Sequence, residues 1–210
     1  TFVKPLVVGS YDGGTTTSGF TNVEISNNTF VNLKPYRRGI VLWNDSDNGD
    51  GGNLANVVIS GNTISGTTDS AGQFGIRILG KATGTAITNN AISGVEEAIR
   101  IDSWNSHYAT GTVIHLNSLL GTTYGVNNLT SDVINAASNW WGDVSGPSGG
   151  DVDSNTSTMP ASGTGGRVSS NILFYPWLDA PYPEGEPIYF TNSAGPIEIN
   201  NDTFDDRTNT

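Results

Sequence analysis

The sequence predicts an all-β fold of short parallel strands wound into stacked coils, and three observations carry that prediction. The first is repetition. An apolar residue, two variable positions, an asparagine, a small residue and another apolar residue recur as ISNNTF (Ile25 to Phe30), ISGNTI (Ile59 to Ile64), ITNNAI (Ile87 to Ile92) and IHLNSL (Ile114 to Leu119). The asparagines Asn28, Asn62, Asn90 and Asn117 stand 34, 28 and 27 residues apart, the period of one supersecondary unit stacked on copies of itself. The second observation is a further strand after each phrase, repeating in the same register. The third is composition: 27 Gly in 210 residues, with abundant Asn, Ser and Thr, disfavours long helices and suits short strands joined by tight turns.

The strand after the phrase reads GIVLW (Gly39 to Trp43), GIRIL (Gly75 to Leu79), AIRID (Ala98 to Asp102) and a degraded GVNNL (Gly125 to Leu129). Side chains alternate along a strand, so Ile40 and Leu42, Ile76 and Ile78, Ile99 and Ile101, and Val126 share the inner side. The Gly or Ala before them marks a turn with crowded backbone. Asparagine tolerates unusual backbone angles and bonds nearby amides, so the Asn column belongs at a corner, where stacked copies form an amide ladder. Ile25, Ile59, Ile87 and Ile114 are assigned to the core. Differences in repeat length fall at residues 43–53 and 67–73, and such insertions emerge as loops, often on the binding face.

Composition bounds the function classes. A formal charge of −11 with nine basic residues lacks the footprint of a nucleic-acid binder and opposes acidic membranes. Without cysteine there is no disulfide framework and no zinc–thiolate site. No apolar run is long enough for membrane insertion. Low charge with much Asn, Ser, Thr and Gly suits an extracellular or cell-surface location. The start at Thr1 suggests a processed protein or an excised fragment, so other domains of a larger surface protein are expected partners. Asn27, Asn128, Asn155 and Asn201 begin N-x-S/T triplets, which arise by chance in such a composition.

The repeated phrases resemble the right-handed parallel β-helix repeats of the pectin-lyase-like superfold, in the broad group shared by NosD-like and other bacterial and archaeal surface proteins. ASNWWGDVSGPSGG (Ala137 to Gly150) and NILFYPWL (Asn171 to Leu178) resemble the segment that closes such helices in large secreted proteins. The resemblance covers roughly residues 20 to 180. It implies an all-β, right-handed parallel β-helix (solenoid) of about five to six coils over residues 1–180, with a C-terminal capping segment near 137–178. Trp140, Trp141 and Trp177 read as cap aromatics, with ligand stacking as the alternative. Residues 181–210 then form a Pro-rich linker and a C-terminal strand. There IEINNDTF (Ile197 to Phe204) echoes VEISNNTF (Val23 to Phe30), as the start of a further coil of a longer parent protein.

Stacked columns are where a coiled fold assembles chemistry. The outward columns of the second strand are Val41, Arg77, Arg100, Asn127 and Trp43, Leu79, Asp102, Leu129; those of the first are Glu24, Val58, Ala86, Val113 and Ser26, Ser60, Thr88, His115. Glycoside hydrolysis needs two facing carboxylates, and no column supplies a pair. Arg77 and Arg100 become neighbours about 5 Å apart, an unfavourable like-charge contact. Asp102, Glu96, Glu97 or a bound anion must offset it. Trp43, Trp104 and Tyr108 lie near this face and suit sugar rings, so Arg77, Arg100, Asp102, Trp43, Trp104 and Tyr108 form the candidate carbohydrate site. The alternative is two arginines splayed into water near those acids.

The loop NDSDNGDGG (Asn44 to Gly52) offers closely spaced hard oxygens, so Asp45, Asp47 and Asp50 are candidate Ca2+ ligands; a solvated turn has the same composition. Asp151 to Asp153 is a weaker second stretch. His107 and His115 lack an evident partner. The expected function is a noncatalytic extracellular module for polysaccharide binding, acidic polysaccharides in particular, or for surface adhesion and spacing. The alternatives are a polysaccharide lyase or glycoside hydrolase with a loop-borne site, and a purely structural stalk.

Overall fold

The computed structural model describes residues 5–11, 19–45, 54–67, 70–104, 106–121, 123–149, 153 and 160–189. The fold is all-β, its sheets are mostly parallel, and no helix occurs among the described residues. Each of the four asparagine-phrase repeats contributes one strand to each of three parallel sheets, and strands of consecutive repeats are neighbours.

The asparagine phrase supplies two of these sheets rather than one. Its first half forms the six-stranded sheet, in which Glu24–Ser26, Val58–Ser60, Ala86–Thr88, Val113–His115, Ile134–Asn135 and Ile172–Leu173 follow one another. Its second half forms the four-stranded sheet of Thr29–Leu33, Thr63–Gly66, Ala91–Ser93 and Ser118–Leu120. The third sheet orders Leu6–Tyr11, Arg38–Asp45, Phe74–Leu79, Glu97–Asp102 and Tyr124–Asn128.

The register follows the repeat. Ile25 pairs with Ile59, Ile59 with Ile87 and Ile87 with Ile114, and all four are buried, as expected. Ile40, Ile76, Ile99 and Val126 stack in the same way on the third sheet and are fully buried. A parallel stack places each isoleucine on its counterpart about 4.8 Å away, so one residue type repeated in register fills a continuous core.

At the corner between the two halves of the phrase stands the asparagine ladder. The side-chain amide of Asn28 donates to Asn62 Oδ1 at 3.0 Å, that of Asn62 to Asn90 at 2.9 Å, and that of Asn90 to Asn117 at 2.9 Å. Each acceptor oxygen also receives the backbone N–H of the donor asparagine. Asn139 adds a fifth rung, its Oδ1 taking Asn117 Nδ2 at 3.0 Å. The left-handed backbone at this corner does not belong to the ladder asparagines. It belongs to the residue before each: Asn27 (φ 57°), Gly61 (64°), Asn89 (57°), Leu116 (58°) and Ser138 (55°). The tight turn and the amide ladder therefore fall to adjacent positions.

The last repeat closes under aromatics. Trp141, Phe174 and Trp177 are buried in the core, and Trp177 Nε1 donates to Val144 O at 3.0 Å. The Asp153 carboxylate, buried, accepts the backbone N–H groups of Phe174 and Tyr175 at 2.6 and 3.0 Å. Residues Trp177–Leu178 pair antiparallel with Pro187–Ile188, so the Pro-rich stretch folds back against them.

Candidate functional site

The five-stranded sheet bends where its small residues lie. A Cβ added to Gly75 would stand 2.5 Å from Ile92 Cγ2 and 2.6 Å from Ala98 O, so this position faces inward like Ile76 after it. Alternation is broken there, and the residues three places apart across the bend, such as Phe74 and Arg77, both face out. This puts Arg38, Phe74, Glu97 and Tyr124, paired in sequence across the strands, beside the column of Val41, Arg77, Arg100 and Asn127.

Arg77 and Arg100 are direct register partners, as the column alignment predicts. Their repulsion is offset by one carboxylate. Asp102 takes Arg77 Nε on Oδ2 at 2.5 Å and Arg100 Nε on Oδ1 at 2.7 Å. Glu97 Oε1 adds a contact to Arg100 Nη1 at 2.9 Å. Of the acids considered from sequence, Asp102 and Glu97 serve this role, while Glu96 turns away to accept the Gly72 backbone N–H.

Phe74 lies beneath three guanidinium groups. The Cζ atoms of Arg38, Arg77 and Arg100 stand 5.5, 5.5 and 5.0 Å from its ring centroid, within cation–π range. Three cations against Asp102 and Glu97 leave one positive charge on this part of an otherwise acidic chain. Burial pushes the Glu97 carboxyl above its ordinary value, against the opposing pull of Arg100 and Asn127. Burial alone would lower Arg100, yet Asp102 and Glu97 together hold it above its ordinary value. Arg38 is lowered by burial and then by Arg77.

At the other edge of the strip, Trp43 and Trp104 meet edge to face, with ring centroids 6.2 Å apart. Both keep more than a third of their surface exposed. Trp104 is fixed by a backbone bridge to His107, and the exposed Tyr108 follows it. The structure thus brings together Arg77, Arg100 and Asp102, and separately Trp43 with Trp104. Arg38, Phe74 and Glu97 complete the cluster. Sequence reasoning passed over Arg38 and Phe74 because strict alternation assigns them to the inner face; the signal was the Gly or Ala at 39, 75, 98 and 125, which marks the bend.

Asp47 and Asp50 lie outside the described residues, as does the side chain of Asp45, whose backbone ends a strand. Among the described residues no group of three or more His, Asp or Glu is placed to hold a metal ion, and no helix is long and apolar enough to cross a membrane. A concavity of about 380 Å³ lies between Leu120, Trp141, Ser148, Thr164 and Arg167.

No family model, curated protein or solved structure matches the chain.

Proposed function

We infer that the chain is a right-handed parallel β-helix serving as a noncatalytic extracellular module, which binds polysaccharide along its five-stranded sheet. The fold part is supported by three parallel sheets that each gain one strand from each of the four asparagine-phrase repeats, because connections between parallel strands of one sheet are overwhelmingly right-handed. The observation that carries the function is the exposed strip itself. The Trp43–Trp104 pair offers apolar ring surface beside directional donors fixed by Asp102, the combination that sugar rings and hydroxyls require. Catalysis is not part of this reading: Asp102 and Glu97 are each about nine-tenths buried or more and tied to arginines, so neither reaches a glycosidic bond.

The test is binding and turnover against pectins, alginate and plant and bacterial glycans. We expect binding without cleavage, weakened about fivefold or more by Trp43→Ala or Trp104→Ala, as for an exposed aromatic anchor, with an unchanged melting temperature. Turnover of any glycan would favour the lyase or hydrolase alternative. Neither binding nor turnover would leave the structural stalk. Binding undiminished in both variants would move the site to the concavity beside Trp141.

A further inference from the structure

The ion pairs on the sheet face account for two of its three arginines. Arg77 and Arg100 share Asp102, and Arg100 also holds Glu97. Arg38 lies over the same phenyl ring and forms no salt bridge among the described residues. Its Nε is buried and has no hydrogen-bond partner there. Placing a third guanidinium beside two others is unfavourable unless an anion joins them.

Two residues upstream, Tyr36 adds an independent signal. It has φ 61° and is 72% exposed, a backbone region that a bulky side chain rarely adopts. Such strain persists where the surroundings enforce it, and it concentrates at binding sites. The enforcement is visible. Tyr36 N–H donates to Ala71 O at 2.8 Å and Arg37 N–H to Lys34 O at 3.1 Å. The ring edge covers Gly72, where an added Cβ would stand 2.5 Å from Tyr36 Cδ1. An aromatic ring is thereby held against the backbone of Gly72 on one side and open to solvent on the rest, two residues before Arg38 in the chain.

We propose that Arg38 and Tyr36 form a carboxylate-specific subsite for a uronate residue of the bound glycan, with the guanidinium fork on the carboxylate and the phenol ring against the sugar. The inference rests on the polysaccharide-binding reading and sharpens it to an acidic ligand. It also moves the carboxylate contact from Arg77 and Arg100, which Asp102 already satisfies, to Arg38. The two terminal nitrogens of the fork suit a planar carboxylate through parallel hydrogen bonds, and pairing at contact distance outlasts the long-range repulsion from a chain of charge −11, which salt screens beyond roughly 8 Å.

The experiment is calorimetry of the whole chain with polygalacturonate oligomers and with their fully methyl-esterified form, for wild type, Arg38→Gln, Arg38→Lys, Arg37→Gln and Tyr36→Gly. The proposal expects wild type to prefer the acid. Arg38→Gln should weaken it about tenfold or more, the range for a charge-assisted hydrogen bond, and Arg37→Gln by less than about twofold. Arg38→Lys, which keeps the charge and loses the fork, should fall between; it is the variant to read if Arg38→Gln does not fold. Tyr36→Gly should weaken binding without lowering the melting temperature, since glycine accepts this φ. A lowered melting temperature with unchanged binding makes Tyr36 structural and overturns its part in the subsite. Equal losses for Arg37→Gln and Arg38→Gln indicate diffuse charge and overturn the subsite. Binding of neutral glycans alone overturns it while the polysaccharide reading stands; binding of none removes both.

Discussion

The asparagine column inside the molecule and the arginine column on its five-stranded sheet are built by the same repetition, yet only the first extends. A primary amide carries both donor and acceptor, so each asparagine satisfies the next and the ladder runs over five rungs from Asn28 to Asn139. A guanidinium carries donors alone. Its column reaches two members, Arg77 and Arg100, and needs Asp102 between them. A self-complementary side chain in a stacked column thus builds scaffold, whereas a self-repelling one must be held by a partner. That requirement makes the second column informative about ligands.

The sharpest way to break the contrast is to make the inner column self-repelling. Asn90 accepts from the amide and backbone of Asn62 and donates to Asn117 Oδ1 and to the carbonyls of Ile59 and Thr88. Asn90→Asp keeps the shape, loses every side-chain donor and sets a carboxylate against Asn117 Oδ1. We expect a loss of about 3 kcal/mol or more, as for a buried polar group deprived of partners. The same change at Asn28, the exposed end of the ladder, should cost less than about 1 kcal/mol. Urea unfolding of both variants measures the difference; similar losses at the two positions would show that the ladder's interior gains nothing from its burial.

The outer column is tested by removing its counterion. Asp102→Asn leaves Arg77 and Arg100 opposed. Because both arginines retain about a fifth of their side-chain exposure (19% and 24%), the expected loss is roughly 2 kcal/mol, below the range for a fully buried pair. Adding Arg77→Gln should recover part of it, with a coupling energy of about 1 kcal/mol in the double-mutant cycle. A purely additive double variant would show that Asp102 does not act by separating the two cations.

Much of the architecture was legible because a stacked fold writes its register into its period. The four isoleucines, the Arg77–Arg100 contact and the amide ladder all follow from aligning four phrases. What escaped was local geometry that the period does not encode. The phrase splits into two sheets because the residue before each ladder asparagine turns left-handed, and a position held by Asn, Gly, Asn, Leu and Ser gives no single-residue signature. The fifth rung, Asn139, was hidden within the Ala137 to Gly150 motif, where Trp140 replaces the small residue of the phrase and Trp141 the apolar one. Arg38 and Phe74 were missed for a related reason: alternation fails at a bend, and only the small residue at the bend announces it. The Asp153 carboxylate was legible only as a weak metal candidate, yet it accepts the backbone N–H groups of Phe174 and Tyr175.

The smallest expected effect lies where an ionisable group borders the neutral ladder. His115 stacks on Thr88, and its carbonyl accepts the Asn117 side-chain amide. Burial holds its imidazole below the ordinary value, only partly countered by a hydrogen bond with the Asn135 side chain, and its Nε2 is buried without a partner among the described residues. A depressed value means that the unfolded chain takes up the proton first. His115 therefore favours the folded state fully above about pH 6.5, the unfolded value, and this contribution is lost as pH falls through the lower folded value. Every other ionisable group is common to both proteins, so the difference between wild type and His115→Gln isolates the imidazole. Urea midpoints at pH 7.5 and 5.5 should drop more in wild type than in His115→Gln. Equal drops would mean that the imidazole takes up its proton without disturbing the column, and that neutrality is required only of the ladder itself.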